Sequence, residues 1–172
     1  MRTSGILIAA CAALSLLSAA PAFASDDGDK MMTAETVTVD GLEISGGWAR
    51  AMLPGQKAGG GFVIITNRGS TDDRLVGVRT PNARHSEIHE MKVVDGVMKM
   101  RQIEGGLPIP AGETVVLEPG ANHLMFMMVE TPFTAGDTLP VTLVFEKAGE
   151  VDMMLPVVSM EESKKMKMMK HD

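Results

Sequence analysis

The chain has no tyrosine, one tryptophan, one cysteine and four histidines in 172 residues. Each shortage removes a class of chemistry. Cys11 lies inside an N-terminal export signal, so the mature protein has neither a disulfide framework nor thiolate chemistry. A site built on a cysteine thiolate, as in blue-copper electron carriers, is excluded with it. The net charge of -6 and the scarcity of aromatics leave no basic stripe interleaved with stacking residues, so nucleic acid is not an expected partner. The N-terminal apolar run, Gly5 to Leu17, falls short of a bilayer span, and no membrane span is expected in the mature form. No nucleophile elbow, paired-carboxylate arrangement or HExxH motif is present, so the protein is not expected to be an enzyme.

Residues 1–24 have the pattern of a secretory signal peptide: Arg2 as a positive start, the apolar run, then Ala22-Phe23-Ala24 as a small-x-small cleavage site. A periplasmic protein beginning at Ser25 is the expectation. Ile8-Ala9-Ala10-Cys11 resembles the box before a lipid-modified cysteine, but it leaves too short an apolar core. About 148 residues remain, with a charge of about -7 once Arg2 is gone, and one domain is the prior at that length. The polar stretch 25–34 is a flexible leader, 35–159 the folded domain, and 160–172 a flexible tail rich in Met, His and Lys.

Short runs of Val, Ile, Leu, Phe and Thr alternate with Gly, Pro, Asn and Asp, the all-β signature. Strands are expected near 35–39, 42–50, 61–67, 74–79, 86–94, 97–103, 114–118, 123–129, 138–145 and 150–158, with a turn or loop marked by Gly59-Gly60-Gly61 and a loop-rich stretch over 104–120 around the strand at 114–118. So many short strands point to a Greek-key β-sandwich or barrel. Trp48 is expected to anchor the core.

What the chain does have is methionine, 16 in all. Three clusters stand out: His89-Glu90-Met91, Met98-Lys99-Met100 and His123-Leu124-Met125. In a strand, residues i and i+2 emerge on one face, so both donors of a His/Met pair project together. Asp95-Gly96 suits a two-residue type I′ turn. Counting outward from it pairs Met91 with Met100 and Lys92 with Lys99, and brings His89 diagonally across from Met100. Met98 is assigned to the opposite side. In the third cluster Leu124, Phe126 and Met128 form a core face, and His123, Met125 and Met127 point away from it. Thioethers are soft donors and imidazole an intermediate one, so a mixed His/Met site selects copper, and neutral thioethers tolerate an oxidising compartment better than thiolates. His85, four residues before His89, is an outside candidate.

His89, ten intervening residues, Met100, then His123-x-Met125 resembles the signature of PCuAC-type periplasmic copper chaperones. The likeness extends through Gly47-Trp48-Ala49-Arg50, Ile65-Thr66-Asn67, Glu87-Ile88-His89-Glu90, Leu107-Pro108-Ile109-Pro110-Ala111-Gly112 and Pro119-Gly120-Ala121-Asn122-His123, over roughly residues 42–158. The resemblance implies a cupredoxin-like domain holding Cu(I) on His89, Met100, His123 and Met125, with Met91 as an optional ligand. It also implies delivery of copper toward the CuA centre on cytochrome c oxidase subunit II, alongside Sco-type proteins. Met100 and His123 are separated by 22 residues, one more than the usual spacing, and the extra residue falls in the stretch 104–120.

The tail holds Met166, Met168, Met169 and His171, candidates for a second copper ion, although four lysines there oppose a cation. Two other functions fit the same residues. One is an exported β-sandwich interaction module whose methionines pack and scavenge oxidants. The other is a copper-sequestering resistance protein.

Overall fold

The computed structural model describes residues 35–169, and side chains as far as Lys165. Eleven strands and one helix follow one another in that span. They are β1 (Val37–Val39), β2 (Leu42–Arg50), β3 (Ala58–Asn67), β4 (Asp73–Arg79), β5 (Ala83–Val94), β6 (Val97–Gln102), β7 (Leu107–Ile109), β8 (Thr114–Leu117), β9 (His123–Val129), β10 (Thr138–Phe145), β11 (Glu150–Val158) and α1 (Met160–Met169). The expectation of a β domain holds.

The strands run in the order β6-β5-β9-β3-β2-β11-β10-β4-β7, with β1 on β2 and β8 on β3. Strand β11 links the two halves: it pairs antiparallel with β10 along its length, and only Val157 and Val158 turn parallel to β2. Ile44, Ile65, Leu124 and Phe126 from one half are fully buried in one cluster with Leu75, Val141 and Leu143 from the other. Alternation puts these residues inward, and the intervening residues of β5 and β9 are thereby sent to the outer face.

Two tight turns were legible as dipeptides. Asp40-Gly41 joins β1 to β2 and Asp95-Gly96 joins β5 to β6, with all four residues at positive φ, as a type I′ turn demands. Three features were not legible. Strand β7 lies in the stretch expected to be loop, held where the buried Asn67 amide donates to the carbonyls of Thr71 and Ile109 at 2.9 and 3.0 Å. Gly59 and Gly60 belong to β3 rather than to a turn. The C-terminal segment expected to be a flexible tail opens as helix α1, closed at its start by a capping box: the Ser159 N–H donates to Glu162 Oε2 at 2.8 Å and the Glu162 N–H to Ser159 Oγ at 3.2 Å.

The glycines of β3 are there for space. A Cβ on Gly59 would lie 2.5 Å from the Phe133 ring, and one on Gly61 would lie 2.9 Å from Phe126. Those two rings meet edge to face at 5.7 Å beneath the strand. Gly59→Ala therefore overpacks a buried aromatic pair and costs about 1–3 kcal/mol, a loss measured as a lower urea midpoint at unchanged m-value.

Candidate metal centre

The outer face of β5 and β9 gathers the sequence's chemistry. Register pairs His89 with His123, Glu87 with Met125, and His85 with Met127. On the other side of β5, Met91 stands opposite Met100 and Lys92 opposite Lys99, as the Asp95-Gly96 turn predicts. Beyond β9, Gly60 of β3 lies across from Met125. His85, Glu87, His89 and Met91 thus share one face of β5 with His123 and Met125 of β9 and Met100 of β6.

The two histidine rings are 5.8 Å apart, centre to centre, and nearly edge to face. Both are buried, at 8% and 7% exposure, although they point away from the main core. Each ring has one nitrogen engaged. His123 Nδ1 is 3.0 Å from the Ala121 carbonyl, which only accepts, so Nδ1 carries the proton and Nε2 the lone pair. His89 Nε2 is 2.5 Å from Glu87 Oε2, and donation to that carboxylate leaves the lone pair on Nδ1. His89 Nδ1 is buried with no hydrogen-bond partner among the described residues. A buried polar atom without a partner is uncommon and points to a ligand outside the protein's own bonding. Burial lowers the pKa of His123, outweighing the opposing Ala121 hydrogen bond, so the ring is neutral at neutral pH. Hydrogen bonds from His89, then His85, lower the pKa of Glu87 and keep it an anionic acceptor.

Beside the pair lies a cleft of about 280 Å³ lined by His123, Met125, Met91, Met52, Met160 and Arg50, among others. Arg50 stretches over the Phe62 ring, 5.7 Å from its centre, and Phe62 stacks on Trp48 at 4.3 Å. Trp48 is therefore not the core anchor expected from its size. It is half-buried on the outer face, in register with Phe62, because position 48 shares its side of β2 with Arg50 rather than with the inward Ala49. The short start of α1 sets Met160 at the rim of the cleft.

Three further placements differ from expectation. Met128 is not a core residue: it sits at φ 51° and 56% exposed, while Val129 takes the buried position, so a local irregularity ends the alternation one residue early. Met98 does not fall on the opposite side. It pairs with Val93, two residues along from the Met91–Met100 pair, and so shares their face. The strand does reach His85, but its Nε2 bonds to Glu87 Oε1 at 2.6 Å rather than joining the histidine pair. Met166, Met168 and Met169 fall on α1, where their side chains lie outside the described residues, as does His171 altogether. Glu87 and Arg50 were missed as site residues. A carboxylate two residues before a strand histidine was a usable signal for Glu87, whereas Arg50 is brought in by tertiary packing alone.

Among the described residues, no three of His, Cys, Asp or Glu come together as a metal site, and Met91 and Met125 line the cleft beside His123. Two imidazoles with neighbouring thioethers are a donor set of the kind that suits Cu(I).

The family model "Putative lipoprotein LpqE-like" matches residues 42–157, the whole span from β2 to β11. The chain belongs to that family. This LpqE-like protein is 33% identical over 118 residues to "Putative lipoprotein Lxx21020" of Leifsonia xyli subsp. xyli (strain CTCB07), covering 69% of this chain and 70% of that one. Its fold matches the copper-bound PCuAC domain from PmoF2 with a TM-score of 0.63 and 26% identity, covering 73% of this chain and 98% of that domain. The apo PCuAC domain from PmoF1 matches with the same TM-score at 27% identity, over 73% of this chain and 99% of that domain. The solution structure of the Cu(I) form of DR1885 from Deinococcus radiodurans, at 24% identity and a TM-score of 0.54 over 73% of this chain and 81% of that one, adds likeness of fold. The LpqE-like protein thus shares the fold of the PCuAC domains, and its family is described as putative lipoproteins.

Proposed function

We propose that the protein is an exported copper chaperone that binds Cu(I) through His89, His123, Met125 and Met100, and passes it to a copper-accepting protein. The observation that carries this reading is the cross-strand histidine pair, with a buried His89 Nδ1 that has no hydrogen-bond partner among the described residues. His123 Nε2 is the matching donor, Met125 lies two residues along the strand, and Met100 stands on the neighbouring hairpin strand, two positions from the residue opposite His89. The copper-bound relative supports the choice of metal. Neutral ligands beside an open cleft suit transfer, because an acceptor can exchange them one at a time. No step requires catalysis.

Both the signal-peptide reading of residues 1–24 and the lipoprotein description of the family lead out of the cytoplasm, and the reading adopted is a periplasmic domain. The proposed acceptors are the CuA domain of cytochrome c oxidase subunit II and Sco-type proteins. The test is to mix the Cu(I)-loaded protein with an apo CuA domain, separate the two and measure copper in each. Copper should move to the acceptor, and Met100→Leu should alter how much moves. Copper that stays behind favours sequestration, and failure to load the protein at all removes copper from its function.

A further inference from the structure

On the copper-binding reading, we propose that Met98, Met100 and Met91 form an outer Cu(I) station on the β5–β6 hairpin, with Met98 as the capture ligand that feeds the histidine pair. The three thioethers share one face. Met91 is directly across from Met100, and Met98 precedes Met100 by two positions along β6, about 7 Å away and within reach of flexible methionine side chains.

Exposure grades along this face. Met98 is 56% exposed and Met100 48%, Met91 is partly buried against the cleft, and the histidines are buried. Methionine ordinarily fills gaps in a core, but at Met98 there is no core to fill. The charges of the hairpin lie on its other face, where Lys92 pairs with Lys99 and Glu90 binds Arg101, so no hairpin cation faces the sulfurs. Nothing on this face titrates between Met98 and His89. Arg50 lines the cleft together with Met91 and His123, whereas the exposed hairpin presents its sulfurs on a face without a cation. Transfer along the face is ligand exchange only. One Cu–S bond, or a Cu–N bond on reaching a histidine, forms for each Cu–S bond broken, and copper remains Cu(I) with no electron transferred.

The test uses the mature protein, Cu(I) supplied from a chromophoric chelator, and NMR of the methionine methyl groups. Met98→Leu should slow loading by about tenfold, the scale on which groups supporting a metal site act, with the final affinity unchanged. The Met98 methyl resonance of the wild type should shift during loading. Val97→Leu, on the opposite face of the same hairpin, should load at the wild-type rate. Loading of Met98→Leu at the wild-type rate, an unmoved Met98 methyl, or an equal slowing by Val97→Leu each overturns the outer station. His123→Ala separates the two readings: wild-type Cu(I) affinity there defeats the inner site, while the Met98 methyl still reports on the outer one.

Discussion

His123→Ala lowers the affinity for Cu(I) on the order of a hundredfold, about 2.7 kcal/mol of binding free energy. The imidazole does three things that no neighbour can replace. Its Nδ1–H is committed to the Ala121 carbonyl, so the ring is held with Nε2 free. Burial keeps it neutral, so copper displaces no proton from it at neutral pH. It projects from the position in register with His89, so the two rings are held side by side before metal arrives. Alanine leaves His89 with sulfur donors alone. Competition against a chromophoric Cu(I) chelator at neutral pH measures the loss. Because His123 is buried, Met125→Leu serves as a second variant that removes a donor at nearly constant volume, and it should weaken binding by a smaller factor. Affinities equal to the wild type in both variants would falsify the assigned ligand set.

Much of this was legible because strands impose a period of two and the turn residues fix a register. Asp95-Gly96 alone set Met91 beside Met100, and the buried Leu124 and Phe126 sent His123 and Met125 to the other face. What escaped the sequence was whatever depends on a break in that period or on contacts from distant strands. Met128 at positive φ cannot be inferred from alternation, since a local irregularity is invisible to a pattern that assumes none. Gly59 looks like a turn until Phe133 is placed beneath it. Leu107-Pro108-Ile109 becomes a strand only through its pairing with β4 and the Asn67 amide. Trp48 was assigned by size, yet its face was already implied by the inward Ala49. Met98 was readable and misassigned, because the i and i+2 rule that united it with Met100 also fixes its side.

Glu87→Ala lowers Cu(I) affinity by about tenfold or more without removing a ligand. The carboxylate is divided between two rings, Oε2 to His89 and Oε1 to His85. The first of these bonds holds the proton of His89 on Nε2 and so leaves Nδ1 as the donor. Without the acceptor, the neutral ring distributes between its two tautomers, and one of them places a proton on the nitrogen that must bind copper. The ring is also free to turn. Glu87→Gln retains an oxygen acceptor and should recover most of the affinity, which an effect of lost packing would not predict. His85→Ala leaves Oε2 in place on His89, so it should bind Cu(I) within about twofold of the wild type. The decisive readout is the nitrogen NMR of His89 in the apo protein: a single Nε2–H tautomer in the wild type, a mixture in Glu87→Ala. A wild-type tautomer in Glu87→Ala, with affinity nonetheless reduced, would mean that the carboxylate acts through its charge on the bound ion rather than through the ring.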